Sequence, residues 1–155
     1  MIIRLGKRTD KREYLKTQKE AFPIINSRRD AGLFDKKIKQ NEIFVICEDN
    51  TYLGHLCFSS YLVEPPFARS VFIEEMAIKK KFRGKGFGRA LINYSIKYSK
   101  DEKIPTIYLS TGDYANNDSI KLYESIGFKK AGNLKDISPK SEYNYEQLFY
   151  GLEIK

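Results

Sequence analysis

The sequence has few of the residues on which several common kinds of site depend. It contains no tryptophan, one histidine and two cysteines without a recognised zinc-ligand spacing, so no metal site is expected. No apolar run approaches the roughly 20 residues that a membrane-spanning helix needs, and no membrane association is expected. Because the first residues lack a hydrophobic stretch of signal-peptide length, a cytoplasmic location is expected by default.

The two cysteines are expected to be reduced and buried. They fall in neighbouring predicted strands, around a two-residue turn at Asp49-Asn50. With such a turn, Cys47 opposes Tyr52 and Cys57 opposes Glu42, so the thiols do not face each other. Both therefore behave as small hydrophobic residues rather than as a disulfide.

The chain of 155 residues, 41% hydrophobic and 14% aromatic, is long and apolar enough for one domain, residues 1–155. Strands are predicted at 2–7, 42–48, 52–60, 70–79, 106–111, 128–134 and 145–154. Helices are predicted at 10–22, at 28–39 (interrupted by Gly32), after residue 86 and at 116–126. The order strand, turn, helix, strand, helix in the centre favours a mixed α/β sheet.

A glycine-rich turn links a predicted strand to an amphipathic helix. It reads Arg83-Gly84-Lys85-Gly86-Phe87-Gly88. Such a turn lets backbone N–H groups approach a ligand and directs the positive end of a helix at it, which predicts a diphosphate site. A P-loop is excluded because Gly86, not Ser or Thr, follows Lys85. A dinucleotide fingerprint is excluded because Arg89 and Leu91 stand where its next glycine belongs.

A second motif follows, Asn116-Asn117-Asp118-Ser119-Ile120-Lys121-Leu122-Tyr123-Glu124-Ser125-Ile126-Gly127-Phe128. Together with Ile73–Ile78 and the glycine turn, it closely resembles the GNAT superfamily of acyl-coenzyme A-dependent N-acyltransferases. Arg83, Gly86 and Gly88 match that family's Arg/Gln-x-x-Gly-x-Gly/Ala motif. The resemblance implies an α/β (α+β) GNAT fold: a central mixed, mostly antiparallel twisted sheet of about six to seven strands, flanked by about four helices.

The resemblance also implies acetyl-coenzyme A (acetyl-CoA) as cosubstrate and an amine as acceptor. In that family one strand pairs with the pantetheine arm, and its amides, here Met76, Ala77 and Ile78, stabilise the oxyanion. Asn116 would contact the coenzyme or the splayed strands. Leu109 and Ser119 are further candidates, with a plain core leucine and a solvated serine as alternatives. The remaining coenzyme-binding candidates are Arg83, Gly84, Lys85, Gly86, Phe87, Gly88, Arg89 and Tyr123.

Three residues are candidates for catalysis. Tyr123 stands where the family's usual acid lies, near the sulfur; the alternative is a core tyrosine. Glu74 occupies the position where some members place a catalytic carboxylate, and Glu75 would serve as base or bind the amine. Strand alternation predicts that the two carboxylates face opposite sides of the sheet. The alternative is that both are ordinary strand charges.

The net charge of +8 favours anionic partners. Six cations lie within eleven residues: Lys79, Lys80, Lys81, Arg83, Lys85 and Arg89. They form a solvated surface, a nucleic-acid site or a coenzyme site. Because they surround the glycine turn, we favour the coenzyme, and nucleic acid is not expected.

The sequence thus predicts direct acetyl transfer from acetyl-CoA to a primary amine in a ternary complex. A covalent acyl-cysteine is disfavoured, because both cysteines lie in the early hairpin with only His55 nearby. The acceptor stays open between a protein N-terminal amine, a lysine amine and a small-molecule amine, and a homodimer also stays open. The alternative function is a coenzyme-binding or nucleic-acid-binding module without catalysis.

Overall fold

A computed structural model describes residues 1–22, 27–60, 63–115, 117–135 and 146–155. Its seven strands are β1 (Ile2–Leu5), β2 (Ile43–Glu48), β3 (Thr51–Ser59), β4 (Ser70–Ile78), β5 (Thr106–Asp113), β6 (Lys129–Leu134) and β7 (Glu146–Glu153). Its four α-helices are α1 (Lys11–Ala21), α2 (Ser27–Gln40), α3 (Phe87–Asp101) and α4 (Asp118–Ile126). The predicted loop around Pro139 lies outside the described residues.

The strands form one sheet in the order β1-β2-β3-β4-β5-β7-β6. Only β4 and β5 pair in parallel, and the other neighbours are antiparallel. The predicted mixed, mostly antiparallel sheet with four helices is therefore confirmed. Among the described residues, no helix is both long and apolar enough to cross a bilayer.

Each face of the sheet has its own hydrophobic cluster. On one face, α3 packs with Phe87, Ala90, Leu91, Tyr94 and Tyr98 towards the sheet, as its helical spacing predicts. Tyr98, for example, contacts the rings of Phe44 and Phe58. On the other face, α1 and α2 meet through Tyr14 and Phe34, whose ring centroids are 5.0 Å apart.

Some sequence predictions at the ends of elements are corrected. β1 ends at Leu5 rather than residue 7, and β5 continues to Asp113. Asp10 precedes α1, but its side chain does not cap that helix. It instead accepts two hydrogen bonds from the Arg4 guanidinium, at 2.8 and 2.9 Å, and one from the Lys7 N–H at 2.7 Å. The predicted helix around Gly32 is confirmed and is longer than expected.

The predicted pairing of the cysteines is half right. Cys47 opposes Tyr52, but Cys57 opposes Ile43 rather than Glu42. A β-bulge causes this shift, because β3 carries one extra residue, Leu53, between the two pairs. Both cysteines are free; Cys57 is fully buried and Cys47 only partly so.

Candidate active site

The glycine turn presents unpaired backbone N–H groups at the start of α3. Gly84 and Gly86 have φ angles of +74° and +84°, a region that other residues adopt at a cost. The N–H of Ala90 makes the first helical bond of α3, to the Gly86 carbonyl at 3.0 Å. The N–H groups of Phe87 and Gly88 therefore have no helical acceptor, which is the arrangement that binds phosphate at helix N-termini.

The six predicted cations separate into two groups. Lys79 forms an ion pair with Glu13 on α1 and lies over the Tyr52 ring. Among the described residues, no carboxylate pairs with the side chains of the other five, Lys80, Lys81, Arg83, Lys85 and Arg89. Arg83 and Arg89 instead donate to the Ile78 carbonyl at 2.9 Å and the Ser125 hydroxyl at 2.6 Å. The turn thus carries an excess of positive charge.

The sheet opens between β4 and β5. Their parallel pairing runs from Ser70–Thr106 to Ile73–Leu109 and stops there. Beyond this point β5 continues to pair with β7, whereas residues 75–78 of β4 pair with β3 and Glu74 has no strand partner among the described residues. The predicted oxyanion residues Met76, Ala77 and Ile78 lie along this unpaired edge. Leu109 is the last residue of β5 that pairs with β4, and it is buried in the core.

The opening lies close to the start of α3. A Cβ added to Gly88 would lie 3.3 Å from the Met76 methyl carbon and 3.7 Å from a Leu122 methyl carbon. The first turn of α3 therefore rests on β4 and on the residue before Tyr123. The glycine turn, the open strand edge and α4 thus come together.

Asn117, which the sequence analysis did not single out, fixes the start of α4 to the open part of β5. Its amide nitrogen donates to the Thr111 hydroxyl at 2.8 Å and to the Gly112 carbonyl at 2.6 Å. Its oxygen caps α4 by accepting from the Ser119 N–H at 3.1 Å. Asn116, the residue that the sequence motif favoured, lies outside the described residues. Its position directly before the helix could have indicated that Asn117 caps α4.

Tyr123 lies in the core beside the opening. Its ring centroid is 6.1 Å from that of Phe128 and 6.4 Å from that of Tyr150, whose strand partner is Leu109. Burial raises the pKa of the Tyr123 phenol, and a hydrogen bond with the Ser119 side chain opposes this rise. The phenol is therefore held in its neutral form, as a hydrogen-bond donor.

The two glutamates do not face opposite sides of the sheet. Cys57 pairs with Glu75 and Phe58 with Ile73, so Glu74 is the extra residue of a second bulge. Ile73 and Met76 consequently both pack on the α3 side, although they are three residues apart. The two residues between them therefore turn to the other face, and strict strand alternation is wrong here.

Contacts confirm that both carboxylates reach the α1 and α2 side. One oxygen of Glu75 accepts from the Tyr14 hydroxyl at 2.7 Å and from the Gln18 amide at 2.8 Å. Glu74 accepts from the Ser59 hydroxyl at 2.5 Å and pairs with the Lys37 ammonium at 2.8 Å. Glu74 keeps about a third of its side chain exposed, at 32%.

Lys37 is a buried cation that the sequence analysis missed. Its side chain is 0% exposed, and its ammonium lies 3.0 Å from Glu42 as well as 2.8 Å from Glu74. The same nitrogen donates to the Phe58 carbonyl at 2.5 Å and the Ser59 hydroxyl at 2.8 Å. The sequence spacing could have indicated this burial, because Lys37 follows Phe34 by three residues and so lies on the same buried helix face.

His55 is a packed residue and not an exposed base. It is fully buried, and burial lowers its pKa to about 3. Nδ1 lies 2.7 Å from the Tyr52 hydroxyl, and Nε2 lies 3.2 Å from the Gln18 carbonyl oxygen. One donor and one acceptor match the neutral imidazole.

Comparisons with known proteins agree with these features. The model of the "Acetyltransferase (GNAT) family" matches residues 11–128. An N-alpha-acetyltransferase of Saccharolobus solfataricus is 30% identical over 109 residues, which cover 66% of this chain and 65% of that protein. The chain thus matches slightly less than two thirds of this curated relative.

Two solved structures share the fold over nearly the whole chain. An N-acetyltransferase of Staphylococcus aureus Mu50 has a TM-score of 0.83 at 26% identity, covering 99% of this chain and 98% of that one. A Salmonella typhimurium protein, solved with its cofactor acetyl-CoA, has a TM-score of 0.81 at 17% identity, covering 100% of this chain and 94% of that one.

Proposed function

Since the chain belongs to the acetyltransferase (GNAT) family, we propose that it transfers the acetyl group of acetyl-CoA to a primary amine by direct attack in a ternary complex. One observation carries the proposal: free amides at the start of α3 lie next to the opening between β4 and β5. An anionic diphosphate suits those amides and the surrounding cations. The unpaired edge of β4 suits an extended arm that adds like a strand.

The residues present fit acetyl-CoA, which supplies an activated acyl thioester. The amides and cations of residues 83–89 would hold its diphosphate, and residues 76–78 would offer backbone N–H groups to the developing oxyanion. Successive N–H groups of a strand point to opposite edges, and the Lys79 N–H bonds to the Leu53 carbonyl of β3. The N–H groups of Met76 and Ile78, rather than that of Ala77, therefore face the edge left unpaired beyond Ile73–Leu109.

Tyr123 would assist departure of the sulfur as a hydrogen-bond donor. A tyrosine of pKa about 10 is already a weaker acid than a thiol of pKa about 8.5. Burial raises the pKa of Tyr123 further, so complete proton transfer to the thiolate is unfavourable. A hydrogen bond to the developing thiolate stabilises the transition state without that transfer.

The base assignment favours Glu74 over Glu75. Glu75 is engaged by Tyr14 and Gln18 of α1, whereas Glu74 is partly exposed at the bulge beside the opening. A carboxylate has about four lone-pair sites, and each glutamate uses two of them on the partners named, so exposure rather than spare lone pairs distinguishes Glu74. It therefore keeps capacity to accept a proton from the amine, directly or through a water.

The acceptor class follows from amine chemistry and from one relative's name. A lysine-type amine of pKa about 10.4 is neutral in only about one molecule in 2,500 at pH 7, whereas an α-amine of pKa about 7.8 is about one-seventh neutral. The Saccharolobus relative is named an N-alpha-acetyltransferase. We therefore place α-amines, of peptides or small molecules, first among the acceptors.

A screen for release of the coenzyme thiol tests this proposal. Acetyl-CoA is incubated with the protein and with peptides bearing a free N-terminus, with lysine-containing N-blocked peptides and with small amines. We expect release that depends on the amine and is fastest for an α-amine. Binding of acetyl-CoA by calorimetry without release for any amine would instead favour the binding module.

A further inference from the structure

The cluster around Lys37 lies outside the predicted coenzyme site and has no counterpart in the two sequence motifs. It joins α2, β3 and β4, because Lys37 contacts Glu42, Ser59 and Glu74 together. Glu42 in turn accepts from the Ser60 N–H at 2.9 Å. A single buried ammonium thus connects three elements at the position where β4 bulges.

Burying this lysine is costly unless its charge is compensated. Moving an ammonium out of water costs several kcal/mol even after relaxation. Lys37 meets two carboxylates and two uncharged oxygens, more acceptors than its three N–H groups can serve at once. Removal of Glu74 would still leave Glu42, Phe58 and Ser59 as partners, so Glu74 is not needed to satisfy the lysine.

The position of the Glu74 carboxylate, in contrast, depends on Lys37. Glu74 is the extra residue of the bulge, so its own backbone lacks a strand partner to fix its direction. Among the described residues, its carboxylate contacts Lys37 and the Ser59 hydroxyl, and Ser59 itself accepts from Lys37. Both restraints on the Glu74 carboxylate therefore originate at the Lys37 ammonium.

We propose that Lys37 is a positioning residue, which holds the Glu74 carboxylate at the opening between β4 and β5. This inference rests on the proposed role of Glu74 as base. Lys37 has no path to the substrate, since its side chain is fully buried. It acts through Glu74, and the two carboxylates outnumber the one ammonium, which leaves a net negative charge to attract the ammonium form of an acceptor amine.

The test compares Glu42→Gln with the double variant Lys37→Met/Glu42→Gln. Lys37→Met alone would leave the buried Glu42 charge without a cationic partner and risk unfolding. In the double variant both charges are gone and the methionine fills the volume of the lysine stem, so urea unfolding followed by circular dichroism should show a folded protein. Both Glu42→Gln and Lys37→Met/Glu42→Gln are made in two backgrounds, one that keeps Glu74 and one that carries Glu74→Gln.

Relative to Glu42→Gln, we expect the added Lys37→Met to lower kcat at least tenfold when Glu74 is present, with KM changed less than kcat. In the Glu74→Gln background the same change should alter kcat less than about twofold, because residues that act as a unit are not additive. A crystal structure of the double variant should show Glu74 displaced from the opening.

The outcomes separate this inference from the proposed function. Equal losses of kcat in both Glu74 backgrounds, or a Glu74 carboxylate that keeps its place without Lys37, would overturn the inference and leave acetyl transfer intact. If wild-type protein releases no thiol with any amine, the proposed function fails. The crystal structure then still decides whether Lys37 holds Glu74, because it requires no activity.

Discussion

At the scale of single residues, Tyr123 gives the sharpest prediction. Tyr123→Phe removes one hydroxyl and keeps the ring that packs against Phe128 and Tyr150. Loss of one preorganised donor to a developing charge costs roughly 100-fold in kcat. We expect a loss of that order in thiol release, while the dissociation constant of acetyl-CoA measured by calorimetry changes less than about twofold.

Tyr94→Phe is the matched control, because Tyr94 is a second tyrosine that packs against the same core from α3. It should leave both kcat and coenzyme binding near wild-type values. Wild-type turnover by Tyr123→Phe would show that Tyr123 is a packing residue only.

Glu74 allows a prediction that depends on the substrate. Glu74→Gln removes the base and keeps the shape of the side chain. General bases contribute about 100-fold or more, and most where the amine is almost fully protonated. We therefore expect the loss in kcat/KM at pH 7 to be about 100-fold for a lysine-type amine and about tenfold or less for an α-amine.

The comparison uses an N-blocked lysine peptide and a lysine-free peptide with a free N-terminus, both assayed by thiol release. Equal losses on the two peptides would remove Glu74 as the group that deprotonates the amine. A water-mediated route through another group would then be the better description.

Some site residues could be proposed from the sequence, whereas others became visible only in the structure. Gly84, Gly86 and Tyr123 could be proposed as site residues from the sequence because their motifs are local and carry fixed spacings. Lys37 was missed because a lysine in a charged helix is usually solvated, and its burial depends on Glu42 and Glu74 from other elements. Asn117 was missed because its contacts to β5 depend on how the two strands separate.

At the scale of elements, the order of strands and helices was predictable and the bulges were not. Periodicity reports which residues of a strand are apolar, but not where its partner gains or loses a residue. Among the described strands, the three extra residues are Leu53, Glu74 and Ala131. A Cβ on Gly54 would lie 2.4 Å from the Ala77 carbonyl oxygen, so this close contact between strands is open only to glycine.

The glycine turn yields a prediction about an element rather than a side chain. Gly86→Ala introduces a Cβ at a φ of +84°, where it meets no neighbour but strains the backbone. Such strain costs about 1–2 kcal/mol for an L-residue. Relief of that strain moves the amides at the start of α3, so we expect acetyl-CoA binding, measured by calorimetry, to weaken at least about tenfold.

Gly32→Ala provides the control within a helix. Gly32 lies in α2 with no atom within 4 Å of an added Cβ, and alanine is the better helix former. It should raise the free energy of unfolding by about 0.5–1 kcal/mol without altering coenzyme affinity. Unchanged coenzyme affinity in Gly86→Ala would show that the turn does not bind the diphosphate.

At the scale of the whole molecule, the positive charge is unevenly distributed. The chain carries a net charge of +8, yet Glu74 and Glu75 lie together on one face of the sheet. The five cations that have no carboxylate partner among the described residues, Lys80, Lys81, Arg83, Lys85 and Arg89, lie in or beside the glycine turn. An anionic coenzyme and a cationic amine would therefore find separate favourable regions, one at the start of α3 and the other at the β4 bulge.

The free energy of unfolding should depend on pH because His55 is buried on the face of the sheet that α1 covers. His55 is linked through Gln18 to Glu75 by hydrogen bonds of 3.2 and 2.8 Å. Burial lowers the pKa of His55 to about 3, whereas a histidine in the unfolded chain has a pKa of about 6.5. Between these values the unfolded chain binds the extra proton, so the free energy of unfolding must fall as the pH falls.

We expect this fall to begin near pH 6.5 and to approach a slope of about 1.4 kcal/mol per pH unit, measured by urea unfolding at each pH. Arg4 and Lys7 hold the pKa of Asp10 below its usual range, and Lys79 does the same for Glu13. The stability that these two ionised carboxylates contribute is therefore lost only when the pH falls below about 4. His55→Gln, less stable at pH 7 but without the titrating ring, should show a nearly flat free energy of unfolding between pH 6.5 and 4.5. The same slope in both proteins would mean that His55 is protonated in the native state and that its burial does not govern acid stability.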